Sequence, residues 1–404
     1  MQKYQFISVR QAQEIIQKNF KLFAPIECTL KESYGEILRE DIFADRDQPA
    51  FDKVLMDGIA VNFAAWKSGC LNFKIQGTQS AGKKALKLKT RDYCCEVMTG
   101  AVLPGGTDCV IPVEEIQVQD KNAHVDDAIQ FRLMQNILSK GSDYKKGERL
   151  LETGTYLSPP AVAVVAAVGK KTVKVSSRPK IAIIATGDEL VDLGKPTKPH
   201  QIRTSNSYAL DCALKAHGFH LTKIFHLKDN RVAMLKEIHR ILKTFDILIL
   251  SGGVSMGKFD YVPGVLNELG VKVLFHKVRQ KPGKPFWFGI QKNGPTVFAL
   301  PGNPASTIVC FYRYVLPQLK RSMGLSKTFK GHAVLTEEVR TSTSLTYFLP
   351  VFVDCKNEGQ LTAKPISTSG SGDYLALAKS DGFVELEAGR GHFPSGTSVP
   401  FYRW

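Results

Sequence analysis

Hydrophobic and polar positions repeat with two different periods along this chain, and the changes of period mark its parts. Near the N-terminus Val9, Ile15, Ile16 and Phe20 supply much of an apolar stripe at helical spacing. They follow Ser8 and Gln11, whose S-x-x-Q spacing has the form of a capping box, so a helix is predicted from Ser8. Residues 27–50 change to strand and turn, and 50–145 mix short strands such as LNFKIQG and CVIPVEEIQV with glycine turns and no long helix. This stretch reads as a compact β-rich module inserted in the chain. A proline-initiated helix follows near 159–168, then a short strand, and SSRPK at 176–180 reads as a linker.

Beyond the linker, strand and helix alternate. IAIIATG (181–187) precedes a helix from about Ser207 to His217 that Gly218 stops; LTKIFHL, RVAMLKEIHRILKTF and DILILSGG continue the alternation. VKVLFHKV, FWFGI and TVFALPG read as further strands, and a helix at about 304–320 closes the unit. Such alternation predicts a doubly wound, mostly parallel sheet covered by helices on both faces. The pieces HAVLTEEV, YFLPVFVD, FVELEAG and SVPFYRW, separated by glycine and serine turns, make 328–404 a small all-β domain. At 404 residues the chain is too long for one ordinary core, given a prior of about 150 residues per domain. The fold class is therefore multidomain α/β plus β.

Composition narrows the partners. Hydrophobic residues are 43% and charged residues 23%, as in a soluble globular protein. No apolar run reaches the roughly 18 residues that span a bilayer, and MQKYQFISVR lacks the apolar core of a secretory signal, so the expectation is a cytoplasmic protein without a membrane partner. The eight cysteines show no C-x-x-C spacing and read as reduced thiols; in the adjacent pair Cys94 and Cys95, side chains on opposite strand faces predict burial of one. A formal charge of +16 invites nucleic acid, yet zinc-finger spacing, an RNP motif and a basic heptad arm are all missing, and no nucleic-acid partner is expected. The acid-free stretch Lys67 to Arg91, with seven basic residues, reads as a solvated face. Lys277 to Lys292, with five basic residues around KPGKP, reads as a tight loop that can hold ammonium groups against a small anion.

Three loops leave predicted strands at the carboxyl edge of the α/β sheet, where ligands of such sheets bind: TGDEL (186–190), SGGVSMGKFD (251–260) and PGNPAS (301–306). Their small residues let backbone N–H groups approach an anion closely, which points to a phosphate-bearing ligand. Neither G-x-x-x-x-G-K-[ST] nor an intact G-x-G-x-x-G is present. Asp188, Glu189, Asp229 and Asp260 fall near the same strand ends, where carboxylates beside phosphates hold Mg²⁺ or position water. Taken alone, Asp229 reads as the start of the next helix and Asp188 as a turn cap. The nine histidines form no HExxH or HxH spacing, and the G-x-S-x-G elbow is missing.

Eight stretches together resemble one family, the molybdopterin molybdenumtransferases of the MoeA type and the gephyrin E-domain: FDKVLMDGIAV (51–61), VMTGAVLPGGTDCVIPVEE (97–115), GSDYKKGE (141–148), ATGDEL (185–190), QIRTSNSYAL (201–210), SGGVSMGKFDYV (251–262), KPGKPFWFG (281–289) and LPGNPAS (300–306). The resemblance implies insertion of molybdenum from molybdate into the dithiolene of adenylylated molybdopterin, with release of AMP and dependence on Mg²⁺. It also implies a homodimer whose site is shared between subunits, and four domains. These are an elongated one from 1–49 and 146–178, the inserted β-rich domain 50–145, the molybdopterin-binding α/β domain 179–327 and a β-barrel-like domain 328–404. Carried over by motif, Asp57, Thr99, Asp143, Glu189, Asp229 and Asp260 fall at catalytic positions, with Glu189, Asp229 and Asp260 around the pyrophosphate and metal, and with Asp57 and Thr99 reaching across the dimer. Thr186, Gly187, Asp188, Ser251, Gly252, Gly253, Ser255, Lys281, Lys284, Pro301, Gly302, Asn303, Pro304 and Ser371 fall at substrate-binding positions; Ser371 comes from GSGDY (370–374). The chain departs from the family at Glu96, at FDKV, and at Leu345 and Pro350, which stand where the family's last domain has arginines. Those losses motivate an alternative, a non-catalytic molybdopterin-binding or scaffold paralogue.

Overall fold

The computed structural model describes residues 6–254, 260–326, 331–341, 344–356 and 359–404. At its centre six strands lie in the order Thr222–Leu227, Ile181–Thr186, Ile247–Ser251, Thr296–Leu300, Trp287–Gln291, Val271–His276. The first four are parallel, and Trp287–Gln291 alone runs against its neighbours. Period-two alternation feeds two cores. Ile181 and Ile183 pack with Leu210, Leu214 and Val309, while Ala182 and Ile184 pack with Met234, Ile238 and Val265. Each such aliphatic side chain, fully buried, contributes about 1.5–3 kcal/mol. The helices Asn206–Ala216 and Pro304–Cys310 thus cover one face, and Arg231–Leu242 and Val262–Glu268 the other. Gly218 ends the first of these in the left-handed region at φ +82, as its position predicts. The last helix runs on through a π-helical turn, Phe311–Val315, to Ser322.

The first helix, Val9–Lys18, has the full capping box: the Gln11 N–H donates to Ser8 Oγ at 3.1 Å and the Ser8 N–H to Gln11 Oε1 at 2.8 Å. It stops at Lys18, so Phe20 lies beyond the stripe the spacing predicts for it. Its Val9, Ala12 and Ile16 join the α/β core.

Pro25–Thr29 pairs antiparallel with Thr172–Ser176, and Ile42–Phe43 with Arg149–Leu151, closing a small core around Leu38, Leu157 and Val165. Between these segments lies a second six-stranded sheet, ordered Cys109–Pro112, Gly58–Val61, Tyr93–Val97, Asn72–Gln79, Asn122–Val125, Ile116–Gln119. A 3-10 turn, Val113–Glu115, breaks the stretch CVIPVEEIQV into two of these strands. Both faces of the sheet are covered, so Cys94 and Cys95 are both buried, one in each core, against the expectation of a single buried thiol. Burial pushes the Cys94 thiol up to about 12 and leaves it protonated and unreactive.

At the C-terminus Thr346–Cys355, Leu361–Pro365, Gly331–Leu335, Ser398–Arg403 and Gly382–Leu386 form a small closed barrel, the last strand pairing back onto the first. A two-residue strand from the KPGKP loop, Gln280–Lys281, runs parallel to its first strand, Gln280 opposite Thr346 and Lys281 opposite Tyr347. A buried ion pair adds a second tie: Arg313 Nε donates to Glu385 Oε2 at 2.7 Å, Arg313 Nη2 to Gln13 Oε1 at 2.9 Å, and Tyr402 OH to the same Glu385 oxygen at 2.8 Å. Among the described residues no helix is long and apolar enough to cross a membrane.

Candidate active site

The parallel strands end together, and the loops leaving those ends build a cleft of ≈ 780 Å³. Ile181–Thr186 delivers Thr186, Gly187 and Glu189; Ile247–Ser251 delivers Ser251, Gly252 and Gly253; Thr296–Leu300 leads into Gly302, Asn303 and Pro304. Asp229, after Thr222–Leu227, and Asp260 complete the acidic lining. Pro301 is buried directly behind, its carbonyl accepting from Thr307 Oγ1 at 2.6 Å.

Close approach explains the glycines. A Cβ on Gly252 (φ +98) would stand 2.8 Å from the Thr186 carbonyl oxygen, and one on Gly253 (φ +67) 2.8 Å from Thr186 Oγ1. Only glycine lets this turn lie flat on the neighbouring strand end with its backbone open to the cleft. Asn206, at the start of its helix, ties the loops together, donating from Nδ2 to Gly302 O at 2.7 Å, Ser251 Oγ at 3.0 Å and Thr307 Oγ1 at 3.2 Å. Behind the glycine turn His276 Nε2 donates to Val254 O at 2.8 Å.

Two hydroxyls in the lining are buried and have no hydrogen-bond partner among the described residues: Thr186 Oγ1, in a residue 4% exposed, and Ser207 Oγ, in one 1% exposed. Buried polar groups are almost always paired, so orphans in a cleft wall are open to a partner that water or a ligand supplies.

The charge of the lining is negative. Glu189, Asp229 and Asp260 face one basic side chain, Arg203, among the described lining residues. Burial holds the Asp229 carboxyl above its usual range, and the nearby charges of Asp188, Glu189 and Asp260 push the same way, against a hydrogen bond from the Asp188 backbone that lowers it. Separately, the Asp229 N–H donates to Asp188 Oδ1 at 3.1 Å. Asp229 does not cap the helix after it; Asn230 does, accepting from Ala233 N–H at 3.0 Å. Among the described residues no three Asp, Glu, His or Cys side chains stand close enough to form a ready-made metal cage.

Other residues singled out by motif lie elsewhere on the chain. Asp57 is exposed on the β-rich sheet, where it accepts from the Thr99 N–H at 2.7 Å and the Thr99 hydroxyl at 2.8 Å; these bonds hold its carboxyl below the usual range. Asp143 sits in an exposed turn, its N–H donating to Gln48 O at 2.9 Å. Lys281 and Lys284 do not line the cleft; their ammonium groups lie over the rings of Tyr347 and Phe6, at 5.5 and 4.9 Å from the centroids. Ser371, from the barrel, accepts from Asn303 Nδ2 at 2.7 Å and brings Gly372 and Tyr374 to the rim. Ser255 lies outside the described residues. Sequence reasoning missed Arg203, Asn206, Ser207 and Tyr374. The first three sit in the quoted QIRTSNSYAL stretch, where a run of small polar residues opening a helix was the available signal.

Comparison with known proteins agrees with this arrangement. Residues 182–321, the unit that carries the cleft, match the family described as a probable molybdopterin binding domain. Residues 7–169 match the MoeA N-terminal region (domain I and II), and 332–404 the MoeA C-terminal region (domain IV). The molybdopterin molybdenumtransferase of Synechocystis sp. is 39% identical over 399 residues, covering 98% of this chain and 100% of its own. A crystal structure of the molybdopterin biosynthesis MoeA protein from Pyrococcus horikoshii superposes with a TM-score of 0.81 at 30% identity, covering 99% of each chain. The crystal structure of a molybdopterin biosynthesis MoeA protein from Pyrococcus horikoshii OT3 gives 0.85 at 25% identity, covering 99% of this chain and 100% of the other. The fold and the cleft thus define a molybdopterin-binding α/β protein flanked by β-rich units. The chain belongs to the MoeA family of molybdopterin molybdenumtransferases.

Proposed function

We propose that this protein inserts molybdenum from molybdate into the dithiolene of adenylylated molybdopterin and releases AMP, in a Mg²⁺-dependent step of molybdenum cofactor synthesis in the cytoplasm. The observation that carries the reading is the cleft itself: glycine turns at three strand ends, two orphaned hydroxyls and three separated carboxylates around one volume. A phosphoanhydride brings negative charge to an acidic wall, and a divalent cation removes the conflict. Mg²⁺ suits this donor set because it takes one or two protein carboxylates and fills its shell with phosphate oxygens and water. One or two of Glu189, Asp229 and Asp260 would hold it, and bound there it would supply charge neutralisation at the phosphates.

The chain's own residues do the rest. The backbone N–H of Gly253 and the Thr186 hydroxyl bind phosphate oxygens, while the Gly252 N–H, donating to the Leu300 carbonyl, holds the turn in place and Asn206 keeps the loops at fixed separation. Lys281 and Lys284 offer point charges to molybdate on the barrel side. In the proposed homodimer the inserted β-rich domain of the partner brings Asp57 and Thr99 to the cleft, and each subunit has the four domains that the family resemblance implies.

The test is direct. Purified protein, adenylylated molybdopterin, molybdate and Mg²⁺ yield AMP in step with molybdenum incorporation; no AMP, with an active relative as positive control, refutes the reading. The scaffold alternative has one observation in its favour. Pro350 is buried in the barrel strand Thr346–Cys355 and offers an anion no donor where the family has arginine. Restored molybdoenzyme activity in a transferase-deficient strain excludes it.

A further inference from the structure

Tyr374 is the one aromatic side chain among the described residues lining the cleft, and it comes from the barrel. It is 49% exposed, an unusual state for a large ring in a concave site, and the turn that carries it is held by hydrogen bonds. Asp373 accepts from the N–H groups of Ala376 at 3.0 Å and Ser369 at 3.1 Å and from the Ser369 hydroxyl at 3.1 Å, which locks the turn that carries the ring. The phenol pairs with the Ser205 hydroxyl, at the entrance to the helix Asn206–Ala216. Two residues along that segment is Ser207, whose buried hydroxyl has no partner among the described residues. Ser207 and Tyr374 line the same cleft, and an open ring and a buried hydroxyl in one wall offer a stacking face and an edge contact, the two things a flat nitrogen heterocycle needs.

We propose that Tyr374 and Ser207 form the seat of a planar heterocycle, the ring stacking on its face and the hydroxyl pairing with its edge. This rests on the proposed substrate and sharpens how it is held. Adenylylated molybdopterin is a phosphoanhydride with a fused nitrogen ring system at either end. The glycine turn of Gly252 and Gly253 lies against Thr186, so the phosphates belong there and one of the two heterocycles belongs at Ser205, Ser207 and Tyr374. The barrel therefore takes part in choosing the substrate, because one wall of the heterocycle seat is its own residue.

The experiment measures equilibrium binding of three ligands, adenylylated molybdopterin, molybdopterin and AMP, to wild-type protein and to Tyr374→Ala, Tyr374→Phe and Ser207→Ala. Tyr374→Ala is expected to weaken the full ligand about 10-fold, the loss of one stacking contact. Tyr374→Phe keeps the ring and should stay within about 3-fold of wild type, while Ser207→Ala loses about 5-fold through its missing hydrogen bond. The fragment weakened along with the full ligand identifies the heterocycle: loss on AMP alone assigns adenine to the seat, and loss on molybdopterin alone assigns the pterin. Unchanged binding of all three ligands by Tyr374→Ala overturns the proposal, and so does a loss in Tyr374→Phe equal to that in Tyr374→Ala. A wild-type protein that binds no adenylylated molybdopterin refutes the proposed substrate instead. Thermal melts accompany each variant; Tyr374, half in solvent, should melt as wild type when truncated, and a variant that unfolds is replaced by Tyr374→Leu, which keeps bulk without a π face.

Discussion

Replacing Gly252 by alanine puts the central geometry of the cleft under strain that can be estimated from the structure. The new Cβ would meet the Thr186 carbonyl oxygen at 2.8 Å and its hydroxyl at 3.1 Å. Thr186 ends a strand paired on both sides, so it cannot yield. Backbone at φ +98 is unfavourable for any L side chain, and together strain of this kind costs about 1–3 kcal/mol. Relief comes only by lifting the turn, which also pulls the Gly252 N–H from the Leu300 carbonyl it meets at 3.1 Å. A displacement of about 1 Å at a reacting group costs roughly 10²-fold in turnover. The matching control is Gly264→Ala, inside the helix Val262–Glu268 with nothing within 4 Å of its Cβ position, where alanine should stabilise by about 0.5–1 kcal/mol. Urea unfolding midpoints and AMP release are measured on both variants. Wild-type AMP release from Gly252→Ala, or an equal loss from Gly264→Ala, would show that the close contact at Thr186 does not set the site.

Buried charge leads to two further outcomes. Because the folded-state pKa of Asp229 is raised, chiefly by burial, its ionisation works against folding, so stability falls as pH rises from the ordinary carboxylate range through the raised value. Asp229→Asn should therefore raise the urea midpoint at pH 7, lose that advantage at acid pH below the usual carboxylate range, and abolish AMP release; a midpoint gain that ignores pH contradicts the assignment. Glu385→Ala strands the guanidinium of Arg313, whose side chain is 7% exposed, and should cost about 3–5 kcal/mol in chemical denaturation, whereas a loss under about 1 kcal/mol would mean water or Gln13 compensates.

Much of this was legible because it is written in local pattern. Ile181–Thr186 and Ile247–Ser251 are unbroken apolar runs ending in small polar residues, and such runs announce both a buried parallel strand and the ligand-binding edge beyond it. The capping box at Ser8 was equally plain, though where the helix ends was not: Phe20 fits the stripe, and the C-cap at Asn19, where the backbone leaves the helical range, overrules it. The burial of Cys95 depends on Val54 and Ile137 covering the second face of its sheet, a long-range fact that alternation cannot express. Tyr374 was invisible for the same reason, since its partner Ser205 lies 169 residues away. Lys281 and Lys284 show the opposite case, a motif readable in sequence whose ammonium groups stand apart from the cleft within a single chain.

The short strand Gln280–Lys281 gives the barrel a structural role in the architecture as well as a chemical one. Because a loop of the α/β unit is hydrogen-bonded into the barrel's own sheet, the two cannot swing apart as beads on a linker would. Recombination or engineering that exchanged the barrel as a cassette would leave an unpaired edge on the catalytic half and a cleft missing one wall. In a lineage that kept the cleft, the barrel and the α/β unit are therefore expected to be inherited together.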